Sequence, residues 1–566
     1  MNIKNLKLIL IIIILLLIAF IPFYQLYSKT KSYQHAVVVS DTEIATEAGL
    51  QILKEGGNAI DAAVTVAFVL AVVFPQAGNI GGGGFLVYHK ADGTVSTINY
   101  REIAPLKANK NMYLDDKGNI ISDLSIKGPL AAGIPGTVAG IYLAWKKYGS
   151  LEWKKLITPA INLAENGFLI NKELANDLKD YENNFKIYKS SASIFLDHKL
   201  KAKKANALLV QKDLAKTLTI IANEGADGFY KSKFATLLAT EIQKNRGIIT
   251  TDDLTSYTAI ENKPLSFNYQ NYRIHTIGLP SSGGILLQII LKTLEKENLS
   301  KYKHNSTEYV HLITEILKRA YAERSEHLGD PNFYKVPLNL ILSDNFYDKI
   351  RNEINRKKPT PSAQIKPTTF FNNESNNTTH FSIVDKEGNA VSNTYTLNGT
   401  FGSFYVVEGT GILLNNEMND FSIKPGTPNM YGLLGSQANS IEPHKQMLSS
   451  MTPTIIEKDN KLFAVLGSPG GSRIITSVLQ VILNLIDFRM NIEKAVSAKR
   501  FHHQWLPDIL FIDKNFPHKT ESELIKMGYK IQKRRIGRVN AIYYNAVSGS
   551  YIGVADPRAP GKANGY

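Results

Sequence analysis

Near the N-terminus, Lys4 and Lys7 precede an unbroken apolar run over residues 8–21. A basic start followed by such a run is the pattern of a secretion signal. Carried on through Tyr27, the run reaches about 20 residues, enough to cross a bilayer. Phe23, Tyr24 and Tyr27 then fall where an interfacial aromatic belt belongs. Export to the periplasm is expected, with residues 1–28 either removed or kept as an inner-membrane tether. Beyond them, residues 37–39 predict a short buried strand, and 43–55 an amphipathic helix closed by Gly56, Gly57 and Asn58. Residues 59–73 are small and apolar on nearly every face, which predicts a buried helix.

The glycine run Gly81–Gly82–Gly83–Gly84 predicts a loop feeding a strand at 85–89. It fits neither phosphate-loop spacing, and it enters a strand rather than a helix, so close backbone packing is its reading. Residues 150–330 read as mostly helical, with loop punctuation at 279–284. From about 351 to 377 the chain is rich in Lys, Pro and Asn and predicts a mobile or extended linker. Alternation then resumes over 381–385 and 390–397 around the turn Lys386–Glu387–Gly388–Asn389, a hairpin signature. Thr378 therefore stands at the start of a strand, and Thr396 near the end of its partner. At 468–486 the apolar residues Ile474, Ile475, Val478, Leu479, Ile482 and Ile486 recur at helical spacing. Ser468 and Pro469 stand where an N-cap and first helical residue belong. Gly470 and Gly471 would then present unpaired N–H groups at a positive helix end, either a plain helix start or an oxyanion hole.

Composition narrows the chemistry. Of 566 residues, 44% are hydrophobic and 20% charged, ample for a large core. With 0 Cys, disulfides, thiol nucleophiles and thiolate metal sites are excluded. The formal net charge of +15 is scattered. Its densest runs, 199–204, 356–358 and 533–538, lack interleaved aromatics, which argues against a nucleic-acid partner. A weak attraction to an anionic membrane surface is the expected consequence. His502 and His503 are adjacent and face opposite ways in an extended chain, with no carboxylate spaced for a shared ion. No metal and no cofactor are expected.

A threonine nucleophile needs a base, and no Ser-His-Asp pattern or nucleophile elbow presents one. A break before Thr378 would supply it, because the new α-amine lies beside the hydroxyl and has a reference pKa near 8.

The sequence Asn376–Asn377–Thr378–Thr379–His380–Phe381–Ser382 resembles the processing site of γ-glutamyltranspeptidases of the bacterial type, members of the N-terminal-nucleophile hydrolases. Further blocks resemble the family in order. Among them are Gly56–Gly57–Asn58–Ala59–Ile60–Asp61, Tyr100–Arg101–Glu102, Leu328–Gly329–Asp330–Pro331, Leu414–Asn415–Asn416–Glu417–Met418–Asn419–Asp420–Phe421 and Ala555–Asp556–Pro557–Arg558. Asn419 and Gly399 depart from the commonest bacterial pattern.

The resemblance implies an α+β fold, the four-layer αββα sandwich. It implies self-cleavage at Asn377–Thr378 into a large subunit, 29–377, and a small subunit, 378–566, that form one unit. Thr378 would attack glutathione and other γ-glutamyl compounds, passing the acyl group to water, amino acids or dipeptides. Thr396 would support the nucleophile, and Gly470 and Gly471 would form the oxyanion hole. Arg101, Ser449 and Ser450 would bind the donor α-carboxylate, and Asn398, Glu417 and Asp420 its α-ammonium. Tyr431, in a lid over 425–436, would close the pocket. A cephalosporin or glutaryl acylase and an inactive envelope binding protein remain as alternatives on the same scaffold.

Overall fold

The computed structural model describes residues 31–121, 123–365 and 378–566. The N-terminal apolar run, Asn377 and the rest of 366–377 lie outside them. Two antiparallel sheets carry the fold.

The first sheet has seven strands. β1 (Val37–Ser40), β2 (Gly83–His89), β3 (Val95–Tyr100) and β4 (Ile260–Asn262) come from the first part of the chain. The second sheet begins there too, with β5 (Leu265–Tyr269) and β6 (Tyr272–Thr276). After the undescribed segment come β7 (Thr379–Val384) and β8 (Ala390–Thr396) of the first sheet. They are followed by β9 (Thr454–Lys458), β10 (Lys461–Gly467), β11 (Asn540–Asn545) and β12 (Ser550–Val554) of the second, then β13 (Lys562–Gly565). The orders are β13-β1-β7-β8-β2-β3-β4 and β12-β11-β10-β9-β6-β5. The hairpin β7–β8 thus lies in the middle of the first sheet, between β1 and β2. Residues from both sides of position 378 interleave within one sheet.

Strand alternation sorts the side chains into three cores. Val37, Val39, Val87 and Val384 from the first sheet meet Ile455, Val465 and Ile542 from the second. The intervening Val38, Leu86, Tyr88 and Ile383 face outward onto α1 (Glu43–Lys54) and α2 (Ala59–Val73). Ile456, Ala464 and Leu466 face outward from the second sheet onto α3 (Ser282–Leu294), α4 (Thr307–His327) and α5 (Arg473–Ile486). Helix, sheet, sheet, helix is the αββα sandwich. Every residue of α2 is buried, as its lack of a polar face requires.

Residues 150–330 are mostly helical, as expected, and four details need correction. First, 260–276 interrupt the helices and supply β4, β5 and β6. Leu265, Phe267 and Tyr269 alternate there with polar residues. Second, Ser282, Gly283 and Gly284 are the first turn of α3, capped by Ser281, rather than loop. Third, residues 351–365 are held in place. A helix spans Asp344–Glu353, Lys318 Nζ donates to the Thr360 carbonyl at 2.5 Å, and Ser362 N–H donates to Asp508 at 2.9 Å. Charged side chains from elsewhere satisfy this polar segment, which composition does not reveal. Fourth, α5 starts at Arg473 after Ser472, not after Ser468.

Candidate active site

The glycine run sets the floor of the site. Thr396 ends β8 and pairs in register with Gly83. A Cβ on Gly82 would strike the Thr396 carbonyl oxygen, and one on Gly83 the Tyr100 carbonyl. The run therefore lets two backbones approach closely, as expected. Arg101 follows directly on the end of β3.

Thr378 is 3% exposed and immediately precedes β7. Its hydroxyl donates to the Thr396 hydroxyl at 3.5 Å. The Thr396 oxygen accepts the Asn398 amide at 2.8 Å. Asn398 takes a left-handed conformation, φ 73°, and its side chain donates to the Asn416 carbonyl at 3.1 Å. Three residues that sequence reasoning missed hold the strand end. Arg538 Nη2 donates to the Thr378 carbonyl at 3.4 Å, Asp41 accepts the Thr379 hydroxyl at 2.7 Å, and Asn540 donates to the His380 carbonyl at 2.7 Å.

Gly470 and Gly471 lie in the turn before α5, with φ of 134° and 55°. Their carbonyls accept the amides of Arg473 at 3.1 Å and Ile474 at 3.1 Å. Their own N–H groups donate to no partner among the described residues. The glycines are required by positive φ rather than by a first helical turn. Two adjacent unused amide donors can stabilise a developing oxyanion, and Gly471 shares a cavity with Thr378. Gly470 also borders a second hollow, lined by Arg473, Arg534, Arg535 and Arg538.

One cavity brings together Thr378, Thr396, Gly471, Asn398, Arg101, Asp420, Ser449, Ser450 and Tyr431. Arg101 is buried and sits among three carboxyl groups: Asp420 at 2.6 Å, Glu417 at 2.7 Å and Glu102 at 3.4 Å. The short 3₁₀ turn Glu417–Asp420 stacks its two acids three residues apart, on one side. Burial favours a neutral Arg101, but Glu417, Glu102 and Asp420 outweigh it and hold its pKa above the usual value. Burial likewise pushes Glu102 up to about 7, against the pull of Arg101. Glu417 stands behind Arg101, well above the usual carboxylate range for the same reason. The fork of Arg101, the residue expected to clamp a carboxylate, is engaged here by acids, and its Nε donates to the Met447 carbonyl at 3.2 Å.

Ser449 and Ser450 form another part of the cavity wall. The Ser449 carbonyl accepts the Ser282 hydroxyl at 2.7 Å. Tyr431 donates to the Asn398 carbonyl at 2.5 Å, and its ring lies against Gly471. Burial raises its pKa, aided by Asp420 and Glu417. The 425–436 loop is tied down by Asn429 Nδ2, which donates to Asp420 at 3.2 Å. His502 pairs with Thr476 at 2.9 Å and Gln504 at 3.0 Å, and His503 with Asp508 at 3.2 Å. The two rings do not converge.

Arg324 was also missed, although it lines the cavity. Its signal was available: Ile313, Leu317, Ala320 and Arg324 follow one another at helical spacing, so a charge falls on an apolar face. Leu433, Met451 and Ile474 supply the apolar lining.

A threonine ahead of a central strand in an αββα sandwich, with a second hydroxyl against it and the Gly471 amide in the same cavity, fits the N-terminal-nucleophile hydrolase class. The chain is similar to a cephalosporin acylase from Bacillus halodurans, at 25% identity and TM-score 0.85, over 95% of this chain and 97% of that one. The Helicobacter pylori γ-glutamyltranspeptidase is 46% identical with TM-score 0.57, over 58% of this chain and 94% of that one. In sequence, the glutathione hydrolase proenzyme of Escherichia coli (strain K12) is 47% identical over 528 residues, 93% of this chain and 91% of that protein. That of Bacillus subtilis (strain 168) is 38% identical over 562 residues, 96% and 93% respectively. The family model described as Gamma-glutamyltranspeptidase matches residues 45–566. The chain belongs to the γ-glutamyltranspeptidase family.

Proposed function

We propose that this protein is a self-processing γ-glutamyltransferase and glutathione hydrolase. The observation that carries this reading is the joining of the two halves of the site in one cavity. The Thr378 hydroxyl and Gly471 share it with Arg101, Asp420 and the paired serines.

In the precursor, the Thr378 oxygen attacks the Asn377 carbonyl carbon. The C–N bond breaks, the nitrogen takes a proton, and water hydrolyses the ester. The large subunit then ends at Asn377, and Thr378 begins the small one. In the mature enzyme, the Thr378 α-amine takes the hydroxyl proton as its oxygen attacks the donor γ-carbonyl. Gly470 and Gly471 N–H groups stabilise the oxyanion, and Thr396 holds the nucleophile. The amine returns the proton to the leaving amine. Water or an amino-acid or dipeptide amine then opens the γ-glutamyl ester. Tyr431 and its loop exclude bulk water.

The acids around Arg101 favour a donor with an α-ammonium, so the glutaryl acylase reading is set aside. The proposed location is the periplasm, with residues 1–28 cleaved or kept as a tether. Among the described residues, no helix is long and apolar enough to cross a membrane. A denaturing gel and two anilides test the activity. Two bands with release from γ-glutamyl p-nitroanilide and little from glutaryl p-nitroanilide are expected. A single inert band would favour a binding protein instead, and preference for the glutaryl compound an acylase.

A further inference from the structure

The cavity contains two arginines in opposite circumstances. Arg101 is surrounded by Glu102, Glu417 and Asp420, all within 3.4 Å. Arg324 is 4% exposed, and among the described residues no carboxylate lies within ion-pair distance of it. Its partners are neutral: Nε donates to the Ser282 hydroxyl at 3.0 Å and Nη2 to the Ser450 hydroxyl at 3.4 Å. Burial lowers its pKa to about 10, so the side chain stays charged at neutral pH.

The charge of Asp420 offsets only part of the burial of Arg324, and a buried cation with no ion-pair partner is relieved when an anion arrives. Asp420, the acid of the set around Arg101 that lines the cavity, suits an incoming ammonium. The Arg324 end suits an incoming carboxylate. The serines link these facts. Ser282 accepts from Arg324 and donates to the Ser449 carbonyl, while Ser450 accepts from Arg324 directly. Arg324 thereby orients the 449–450 wall from both ends.

We propose that Arg324, acting through Ser282 and Ser450, is the positioning cation that selects donors bearing an α-carboxylate. This rests on the γ-glutamyl reading above. On donor binding, the α-carboxylate meets the Ser449–Ser450 wall and compensates the Arg324 charge, while the ammonium meets Asp420.

The test uses matured enzyme, quantified by its small-subunit band, and three p-nitroanilides. γ-Glutamyl carries both groups, 4-aminobutyryl lacks the carboxylate and glutaryl lacks the ammonium. For Arg324→Gln, kcat/KM on the γ-glutamyl and glutaryl compounds is expected to fall about tenfold or more, mainly through KM. Activity on the 4-aminobutyryl compound stays within about twofold. Arg324→Lys keeps the charge without the fork and gives a smaller loss in the same direction. If Arg324→Gln fails to mature, the lysine variant carries the test, and its γ-glutamyl to 4-aminobutyryl ratio must still fall. Equal losses on all three donors, as a purely structural role would give, overturn the inference, as does no loss. A wild type inert on γ-glutamyl p-nitroanilide overturns the underlying reading and this inference with it.

Discussion

Thr378 and Thr396 come from one hairpin, 18 positions apart, and meet through uncharged hydroxyls and backbone. Arg101 and Asp420, a short distance away in the same cavity, come from positions 319 apart and meet through full charges. The first arrangement fixes atoms by strand register and by glycines that admit close backbone approach. The second fixes charge balance, with acids holding one arginine and serines holding another. The lesson is a division of labour. Substitutions at the hairpin end should act on the chemical step, and substitutions at the charged end on donor affinity.

The largest test of that division is Thr378→Ala. It removes the only oxygen proposed for both reactions, so cleavage at 377–378 and donor turnover should both vanish. One band on a denaturing gel and no aniline release are expected. A variant that still splits and still turns over would break the comparison at its root. Next comes Gly471→Ala. Its φ of 55° disfavours a side chain, and a Cβ would collide with the Tyr431 ring. Displacing one oxyanion donor costs about 10²- to 10³-fold in kcat. The fall should appear in kcat with KM little changed. A pure KM effect would show that the two ends are not separable.

Asp420→Asn probes the other end. Its carboxylate holds Arg101 at 2.6 Å and is proposed to hold the donor ammonium. Losing one charge-assisted hydrogen bond, about 1.5–3 kcal/mol, should raise KM roughly 10- to 100-fold. The glutaryl compound, which has no ammonium, should be affected far less. Equal effects on both donors would mean that Asp420 acts through Arg101 alone.

The same contrast explains what the sequence made legible. Register and periodicity are local, so the hairpin around Gly388, the all-apolar α2 and the close packing at Gly82 follow from residue order. The β5–β6 hairpin also alternates, but it stands among long helical stretches and was absorbed into them. The 351–365 segment looked unstructured because its partners, Glu315, Lys318 and Asp508, lie far off in sequence. The start of α5 was misplaced because Ser468 and Pro469 mimic a cap, whereas the positive φ of Gly470 and Gly471 delays the helix to Arg473. The charged end was legible through family resemblance alone. No spacing rule links Arg101 to Asp420, and only the apolar stripe of α4 hinted at Arg324.

The smallest expected effect on turnover, though not on stability, lies outside the cavity lining. His380 is fully buried on β7, pairing with Thr394 at 2.8 Å and Ser382 at 3.0 Å. Its ring packs so closely on Gly467 that the glycine has no room for a Cβ. Burial lowers its pKa from 6.5 to about 3. Between those values the unfolded chain binds a proton that the folded chain refuses. The stability present above pH 6.5 is therefore lost progressively as pH falls towards 3, by at most about 4–5 kcal/mol at 1.36 kcal/mol per unit. The Tm should drop as pH is lowered from 7 to 4. His380→Gln should start from a lower Tm at pH 7, because packing is lost, but decline less steeply with acid. Its effect on kcat/KM at pH 7, per matured site, should stay within a few fold, since the ring touches neither the nucleophile nor the donor wall. An equally steep acid decline in the variant would assign the loss to other buried groups.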